Sequence, residues 1–216
     1  MTISHHPSDM LLIAYAAGTL DQGCNALIAA HLLRCGECRA WTRNAEAVGG
    51  AILDDIPTAS LSEGAFERVA RQLDDNTERS EISVSAPDNL SELPGVPDFV
   101  RAAPVGRWRW VAPGLHLRRI ALPDAENTRV FLLRSRPGAK FISHSHTGFE
   151  MTCVLSGSFA HDANRYGPGD FDLGDPDVEH TIEIGVEEPC VSLVAMQGNL
   201  KLNGFIGKLM QPLLTI

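Results

Sequence analysis

The feature that most constrains this chain is a cluster of metal-binding side chains near its start. His31, Cys35 and Cys38 follow the spacing H-x3-C-x2-C, and His6 lies about one helix and a turn upstream. If His31 and Cys35 share a helix they share a face, because residues four apart are neighbours there. Zn²⁺ prefers four nitrogen and sulfur donors in a tetrahedron, and a closed set of protein ligands is typical of a structural site. The pattern predicts a helical unit stabilised by zinc, with Gly36 making the turn that lets Cys38 approach.

Two questions stay open at this cluster. A C-x2-C pair also occurs in thioredoxin-like redox motifs, but those lie in a βαβ setting, whereas the surroundings here have helical patterning. The upstream nitrogen has two candidates, since His5 stands directly beside His6. Spacing alone does not choose between these two histidines.

Composition predicts a globular chain of one or two domains, with 216 residues, 44% of them hydrophobic, and mean hydropathy near zero. No stretch is long and apolar enough to span a membrane, and the start lacks the features of a signal peptide. A cytoplasmic location is therefore expected. The five cysteines, an odd number with two in a metal-type spacing, suit reduced thiols better than a disulfide framework.

The net charge of −9 is unevenly distributed, with −6 on residues 1–78 and −3 on the remainder. A DNA-binding surface needs a basic face to neutralise phosphates, so the acidic start argues against direct DNA binding. An acidic region would suit a basic protein partner.

Residues 8–75 have the pattern of a helical domain. Ser8 and Asp9 can cap a first helix that ends near Gly18, and Asp21 can cap a second helix that carries the first part of the cluster. These residues are too few to build a large core, so zinc would have a stabilising role.

Two further helices are predicted, one from Arg39 to about Leu53 and one that follows the capping-box pattern Ser60–Glu63. The apolar positions of the fourth helix recur at helical spacing. They are Leu61, Phe66, Val69, Ala70 and Leu73. This face could belong to the core or could be a docking surface for a partner.

The chain changes character after the fourth helix. We place the helical domain at 1–78, a polar linker at 79–97 and a second domain at 98–216. The second domain has short apolar runs separated by Gly and Pro turns, which predicts an antiparallel sandwich or barrel.

A second metal-type constellation lies within this β region, formed by His144, His146, Glu150 and the later His180. His144 and His146 are two apart, so on a strand they face the same side. Three imidazoles and a carboxylate suit Zn²⁺, Mn²⁺, Fe²⁺ or Ni²⁺. Burying four such groups without a metal or hydrogen bonds is costly, which favours a metal site over a metal-free barrel.

The spacing of residues 138–157 resembles the first cupin motif, and residues 169–180 are similar to the second, with departures at Asp177 and Ile184. The N-terminal cluster resembles the zinc-binding anti-sigma domain of bacteria. Their order, together with the opening Met-Thr-Ile-x-His-His and the run Ala-Tyr-Ala-Ala-Gly-Thr-Leu, is similar to the ChrR family.

This resemblance implies a zinc-binding four-helix anti-sigma domain, with His6 in the family's ligand position, followed by a cupin that binds zinc or another divalent transition metal. It implies a regulator without catalytic residues. The partner would be an extracytoplasmic-function sigma factor, bound 1:1 and kept from RNA polymerase by the N-terminal domain alone. The cupin would be needed for the response to singlet oxygen or related oxidants, and release would involve proteolysis.

Two other functional hypotheses remain beside the anti-sigma factor. The chain could be a metal-dependent cupin enzyme, a dioxygenase or isomerase, with an appended zinc module. It could also be a sensor whose barrel holds a small molecule or metal. Cys24 and Cys153 are expected to pack as small hydrophobes, as is Cys190, although an exposed thiolate at Cys190 could instead sense oxidants.

Overall fold

The structure is a computed structural model that describes residues 2–75, 90, 93–125, 127–141, 143–161, 163–174 and 181–202. Its first part is helical and its second part consists of antiparallel strands. The helices are α1 (Asp9–Ala16), α2 (Gln22–Arg34), α3 (Gly36–Asp54), α4 (Ala65–Asp75) and the short α5 (Asp98–Arg101).

Local side chains explain the limits of the first two helices. Ser8 caps α1, since its Oγ accepts a hydrogen bond from the Leu11 N–H at 3.4 Å, and Gly18 follows the helix with a φ of +67°. Asp21 caps α2, because its Oδ1 accepts a 2.8 Å bond from the Cys24 N–H. Such caps satisfy N–H groups that the first helical turn leaves free. The predicted capping roles of Ser8 and Asp21 are confirmed.

The turn between α2 and α3 differs from the prediction. α3 begins at Gly36 rather than at Arg39, so Gly36 is helical and does not make the turn. The chain turns at Cys35, whose φ of −90° and ψ of 106° are extended. The Cys35 Sγ accepts a hydrogen bond from the Cys38 N–H at 3.4 Å and thereby caps α3. The cysteine itself leaves the helical geometry, which is why no glycine is needed there.

α4 begins at the predicted residue, but the capping-box pattern before it does not cap the helix. Its first helical residue is Ala65, five positions after Ser60. Gly64 has a φ of +68°, a left-handed conformation that interrupts helical geometry just before the helix. Ser60 is therefore too far from the first turn of α4 to cap it.

The strands of the second part form one large sheet and two small ones. They are β1 (Arg109–Ala112), β2 (Leu115–Ile120), β3 (Arg129–Ser135), β4 (His144–His146), β5 (Glu150–Ser156), β6 (Phe159–His161), β7 (Asn164–Tyr166), β8 (Phe171–Gly174), β9 (Glu183–Ile184), β10 (Cys190–Met196) and β11 (Leu200–Leu202). The large sheet has the order β1-β2-β3-β10-β5-β8, and the small sheets are β11-β4 and β7-β6-β9. Every pairing is antiparallel among the described strands.

The two faces of the large sheet have different partners. Alternate residues of β10, Leu193 among them, belong to a hydrophobic core shared with the helices. The intervening residues, Val194 among them, line a cavity on the other face. Since both faces are covered, β10 is buried along its whole length. This double burial explains its nearly continuous apolar sequence, which is unusual for an antiparallel strand.

Helix α2 packs directly on this sheet. Leu27 and Ile28 are fully buried, in the same core as Leu132, Leu155 and Leu193 of the strands. A region of about 75 residues buries a smaller share of its surface than a larger domain does, so added apolar contacts matter more for its stability. The sheet supplies the missing apolar partner.

The end of the segment predicted as a linker is also packed. Leu90 and Val96 are buried in the shared core. Arg101 on α5 donates to the carbonyls of Leu90, Leu93 and Val96 at 2.6, 2.7 and 3.1 Å. These bonds fix the chain where it enters the β region. The earlier part of the predicted linker lies mostly outside the described residues.

The predicted fold class is confirmed, with a helical N-terminal region followed by an antiparallel β region that encloses a cavity. Within the described ranges, no helix has both the length and the apolar character needed to cross a membrane.

Candidate metal centres

The four side chains predicted to bind zinc lie together. One donor atom from each of His6, His31, Cys35 and Cys38 lies within 4.8 Å of the others. In a tetrahedral zinc site with metal–ligand distances of about 2.0–2.3 Å, neighbouring donors are about 3.3–3.8 Å apart. Small side-chain movements would reach that spacing, so this group can hold a metal ion.

Three elements bring these donors together. His31 lies in the last turn of α2, Cys35 at the junction and Cys38 in the first turn of α3, while His6 comes from the extended segment before α1. The His6 Nδ1 is 3.3 Å from the Cys38 Sγ and 3.5 Å from the Cys35 Sγ. His6 therefore presents Nδ1 to the thiols, and the extended segment closes the cluster.

The orientation of His31 also fits a metal ligand. Its Nδ1 is 2.7 Å from the carbonyl oxygen of Gly169. A carbonyl oxygen only accepts, so Nδ1 carries the proton and Nε2 keeps its lone pair. Nε2 is buried and has no hydrogen-bond partner in the described part of the chain. Burial lowers the pKa of His31, which favours the neutral imidazole that binds metals.

The surroundings of the Cys38 thiol disfavour its ionised form. Burial, followed by the hydrogen bond and charge of Cys35, raises the pKa of Cys38 to about 12. The Cys38 thiolate is therefore disfavoured until a cation compensates its charge, and metal binding there releases the Cys38 proton. Two thiols and two imidazoles form a donor set that Zn²⁺ prefers.

The geometry separates His5 from His6. The His5 Nδ1 lies 3.0 Å from the Ser4 Oγ and 3.8 Å from the Asp170 Oδ1, and its ring packs on Tyr166 with centroids 4.2 Å apart. His5 is engaged by residues outside the cluster, and His6 is the histidine whose donor atom lies among the thiols.

Three of the four side chains of the second predicted site lie together. His144 and His146 on β4 are both buried, and their rings meet edge-on with centroids 5.2 Å apart. The His146 Nε2 is 3.6 Å from the Glu150 Oε2 at the start of β5. His180, the fourth predicted ligand, lies outside the described residues.

A carboxyl group that the sequence analysis missed stands near this second site. Burial raises the pKa of Glu150 to about 7, with a further contribution from the charge of Asp172 on β8. Burial also raises the pKa of Asp172 itself. Two buried carboxyl groups favour a shared proton or a nearby cation. The sequence feature that could have identified Asp172 is its position as an acidic residue within a short strand.

The second site opens on a cavity of about 370 Å³. Most of its wall is apolar, with Phe131 and Met196 among the lining residues, and the polar exceptions include His144, Glu150 and Asp172. A volume of this size accommodates a small organic molecule.

The cysteines outside the cluster are buried and unpaired with one another. Burial raises the pKa of Cys24 and of Cys153 to about 12, and both lie in the shared core, as expected for small hydrophobes. Cys190 faces the cavity, with its Sγ 3.7 Å from the Ser192 Oγ, and burial raises its pKa to about 11.

Helices α3 and α4 expose apolar side chains. Phe66 is 77% exposed and Leu73 is 70% exposed, so this side of α4 is not core. Of the two interpretations of the fourth helix, core or docking surface for a partner, the exposure of these side chains favours the docking surface. We call the following residues of α3 and α4 the exposed helix face: Val48, Ile52, Leu53, Phe66, Val69 and Leu73.

Comparison with known proteins agrees with these features. Residues 98–200 match the model of the ChrR cupin-like domain. The chain is 38% identical over 219 residues to the anti-sigma-E factor ChrR of Cereibacter sphaeroides, covering 100% of both chains. It also resembles a chain in the crystal structure of Rhodobacter sphaeroides SigE in complex with the anti-sigma ChrR. That match has a TM-score of 0.72 and 33% identity, covering 91% of this chain and 100% of that one.

The identity extends along the whole chain, through the helical region with its metal cluster and the β region with its cavity. The chain therefore belongs to the ChrR family of anti-sigma factors.

Proposed function

We propose that this chain binds and sequesters an extracytoplasmic-function sigma factor through its N-terminal region. The observation that carries this proposal is the exposed helix face, the apolar side chains that α3 and α4 leave in contact with water. Contiguous exposed apolar patches on a soluble domain mark interaction sites, because leaving them in water is unfavourable. The crystal structure of SigE in complex with ChrR supports a sigma factor as the occupant.

Charge supports the same partner class. Residues 1–78 carry a net charge of −6, which opposes contact with DNA phosphates and favours a basic protein surface. Binding at this face would compete with RNA polymerase for the sigma factor, in a 1:1 complex. The chain would act in the cytoplasm, where sigma factors meet polymerase.

We assign zinc to the cluster of His6, His31, Cys35 and Cys38. When bound, zinc supplies a rigid four-coordinate link between the segment before α1, the end of α2 and the start of α3. The crossing of α2 and α3 fixes where the exposed helix face lies. Loss of a ligand should therefore abolish sigma binding rather than merely weaken it.

We further propose that His144, His146, Glu150 and His180 hold a divalent transition metal, and that the barrel has a sensing role. The buried imidazoles beside a carboxylate support the metal, and the cavity supports a small-molecule ligand. The resemblance to the family gives singlet oxygen or a related oxidant as the signal. A cupin dioxygenase or isomerase is the alternative, and oxygen uptake with an iron-loaded barrel would favour it.

The experiment that tests the sigma proposal is capture of the host's extracytoplasmic-function sigma factors by the full chain. The full chain is the suitable reagent because the sheet covers the apolar side of α2, and removal of residues 98–216 would expose Leu27 and Ile28. Variants Phe66→Asp and Cys35→Ser are compared with wild type, and bound zinc is quantified in each.

We expect wild type to capture one sigma factor and Phe66→Asp to bind it at least about tenfold more weakly, since a buried aromatic anchor contributes more than 1.4 kcal/mol. Cys35→Ser should lose both zinc and the sigma factor. The matched control is Val186→Asp, a charge placed at an apolar residue of the β region that is 80% exposed. Equal capture by all variants would contradict the proposal.

A further inference from the structure

We infer that a turn of the β region, residues 167–171, positions two of the four donors of the N-terminal metal cluster and thereby sets its metal affinity. This inference rests on the zinc assignment made above. It extends that assignment, because the four donors themselves all come from the first 38 residues.

The first contact is made by the backbone of the turn to His31. The Gly169 carbonyl accepts from the His31 Nδ1 at 2.7 Å, in a fully buried position. This bond fixes the tautomer and the ring plane, so that Nε2 is directed to the cluster. Partners that hold the second nitrogen of a metal-binding histidine are worth about 10- to 100-fold in metal affinity.

The second set of contacts holds the segment that carries His6. The Asp170 Oδ1 accepts from the backbone N–H groups of Ser4 and His5 at 2.8 and 3.0 Å. The Phe171 N–H donates to the His5 carbonyl at 3.1 Å. The residue before His6 is therefore bound on both its N–H and its carbonyl. An extended segment near a chain terminus is otherwise the least ordered source of a ligand.

The turn itself is rigid and closely packed. The Asp170 Oδ2 accepts from the Gly167 N–H at 2.7 Å, and the Asp170 carboxylate is buried. Gly169 has a φ of +96°, and a Cβ there would lie 2.7 Å from the Ile3 Cδ1. The sequence thus provides a glycine where the backbone must approach the N-terminal segment. A charged carboxylate accepting several backbone N–H groups makes strong bonds that hold the turn in one conformation.

Cobalt substitution in the full chain tests this inference. A Co²⁺ ion bound by Cys35 and Cys38 gives a thiolate charge-transfer absorption, which reports the N-terminal cluster and not the histidine–carboxylate site. Titration with Co²⁺ and displacement by Zn²⁺ then yield the zinc affinity of that cluster. The variants are Asp170→Ala, which removes the bonds to Ser4, His5 and Gly167, and Asp170→Asn, whose single amide oxygen can still accept from Ser4 and His5 but not also from Gly167.

The matched control is Thr128→Val. Its hydroxyl donates to the Asp21 carboxylate, between the same helix and the same sheet but at the opposite end of α2, about 15 Å from His31 along the helix. A general weakening of the contact between helices and sheet would affect this variant as well.

We expect Asp170→Ala to bind zinc about 10- to 100-fold more weakly and Thr128→Val to remain within about threefold of wild type. Asp170→Asn should lie between Asp170→Ala and wild type, because it keeps the bonds to Ser4 and His5 but loses the bond to Gly167. Equal affinities for Asp170→Ala and Thr128→Val, with a normal charge-transfer band in both, would overturn the role of the turn and leave the sigma proposal intact. Absence of the band in wild type would overturn the zinc assignment together with this inference.

A measurement on the wild-type chain covers the case in which Asp170→Ala does not fold. The ¹⁵N chemical shifts of the His31 ring in the zinc-loaded protein should show Nδ1 protonated and Nε2 bound to metal. Metal bound at Nδ1 would mean that the Gly169 contact is broken, and this would overturn the inference.

Discussion

Burial decides the chemistry of Cys190, the cysteine that faces the barrel cavity. Its side chain is 2% exposed, and its pKa is raised from 9.0 to about 11, mainly by burial. Such a rise lowers the thiolate fraction near neutral pH about a hundredfold. We therefore expect Cys190 to react with iodoacetamide about a hundredfold more slowly in the native protein than in urea, as followed by mass spectrometry. Rapid native alkylation would instead support an oxidant-sensing thiol.

The metal cluster shows which residues could be predicted from sequence and which could not. His31, Cys35 and Cys38 were predictable because helical spacing places them together within two consecutive elements. The choice of His6 over His5 was not predictable from spacing, because it depends on Tyr166 and Asp170, more than 160 positions away. Gly36 was assigned the wrong role because a cysteine can itself take the extended capping conformation.

Helix α2 is the element on which the two parts of the structure meet. Leu27 is fully buried against the sheet, whereas Leu33 on the same helix is 54% exposed. We expect Leu27→Ala to lower the free energy of unfolding by about 2–5 kcal/mol, through lost apolar burial and the cavity left behind. Leu33→Ala is the matched control and should cost less than about 1 kcal/mol. Urea unfolding measures both, and equal losses would contradict packing of α2 on the sheet.

Helix α4 illustrates what an amphipathic pattern can predict. Its periodicity correctly indicated a helix, but a pattern of apolar positions does not reveal what covers them. The structure gives the answer for this chain, since Phe66 and Leu73 are exposed. The predicted start of α4 at Ala65 is confirmed, but Ser60 does not cap the helix, because Gly64 in a left-handed conformation lies directly before it.

At the scale of the whole molecule, the sequence predicted two classes of structure and their order, both of which are confirmed. Strand patterning and helical patterning are local properties, so they can be read without knowing the tertiary structure. The packing of the helical part on the β part could not be predicted from such local patterns. Leu90 and Val96 lie within or beside polar, proline-containing sequence and looked like linker, yet both are buried in the shared core.

The shared core predicts how the whole molecule unfolds. The helices and the strands bury their apolar faces on each other, so neither part can lose its structure without exposing the other. Trp41 on α3 and Trp108 before β1 both pack at the margin of this core and can report the two parts separately. Variants with a single tryptophan, at position 41 or at position 108 and with Trp110 also replaced, should show coincident urea midpoints by fluorescence.

Leu27→Ala should lower both midpoints together, because Leu27 contributes to a core that belongs to both parts. Phe66→Asp should leave both midpoints unchanged, since Phe66 is exposed and contacts water in the free protein. If Leu27→Ala shifted only the Trp41 midpoint, the helical and β parts would be independent folding units. Coincident shifts would mean that the helical part and the β part unfold as one cooperative unit, as expected for one continuous core.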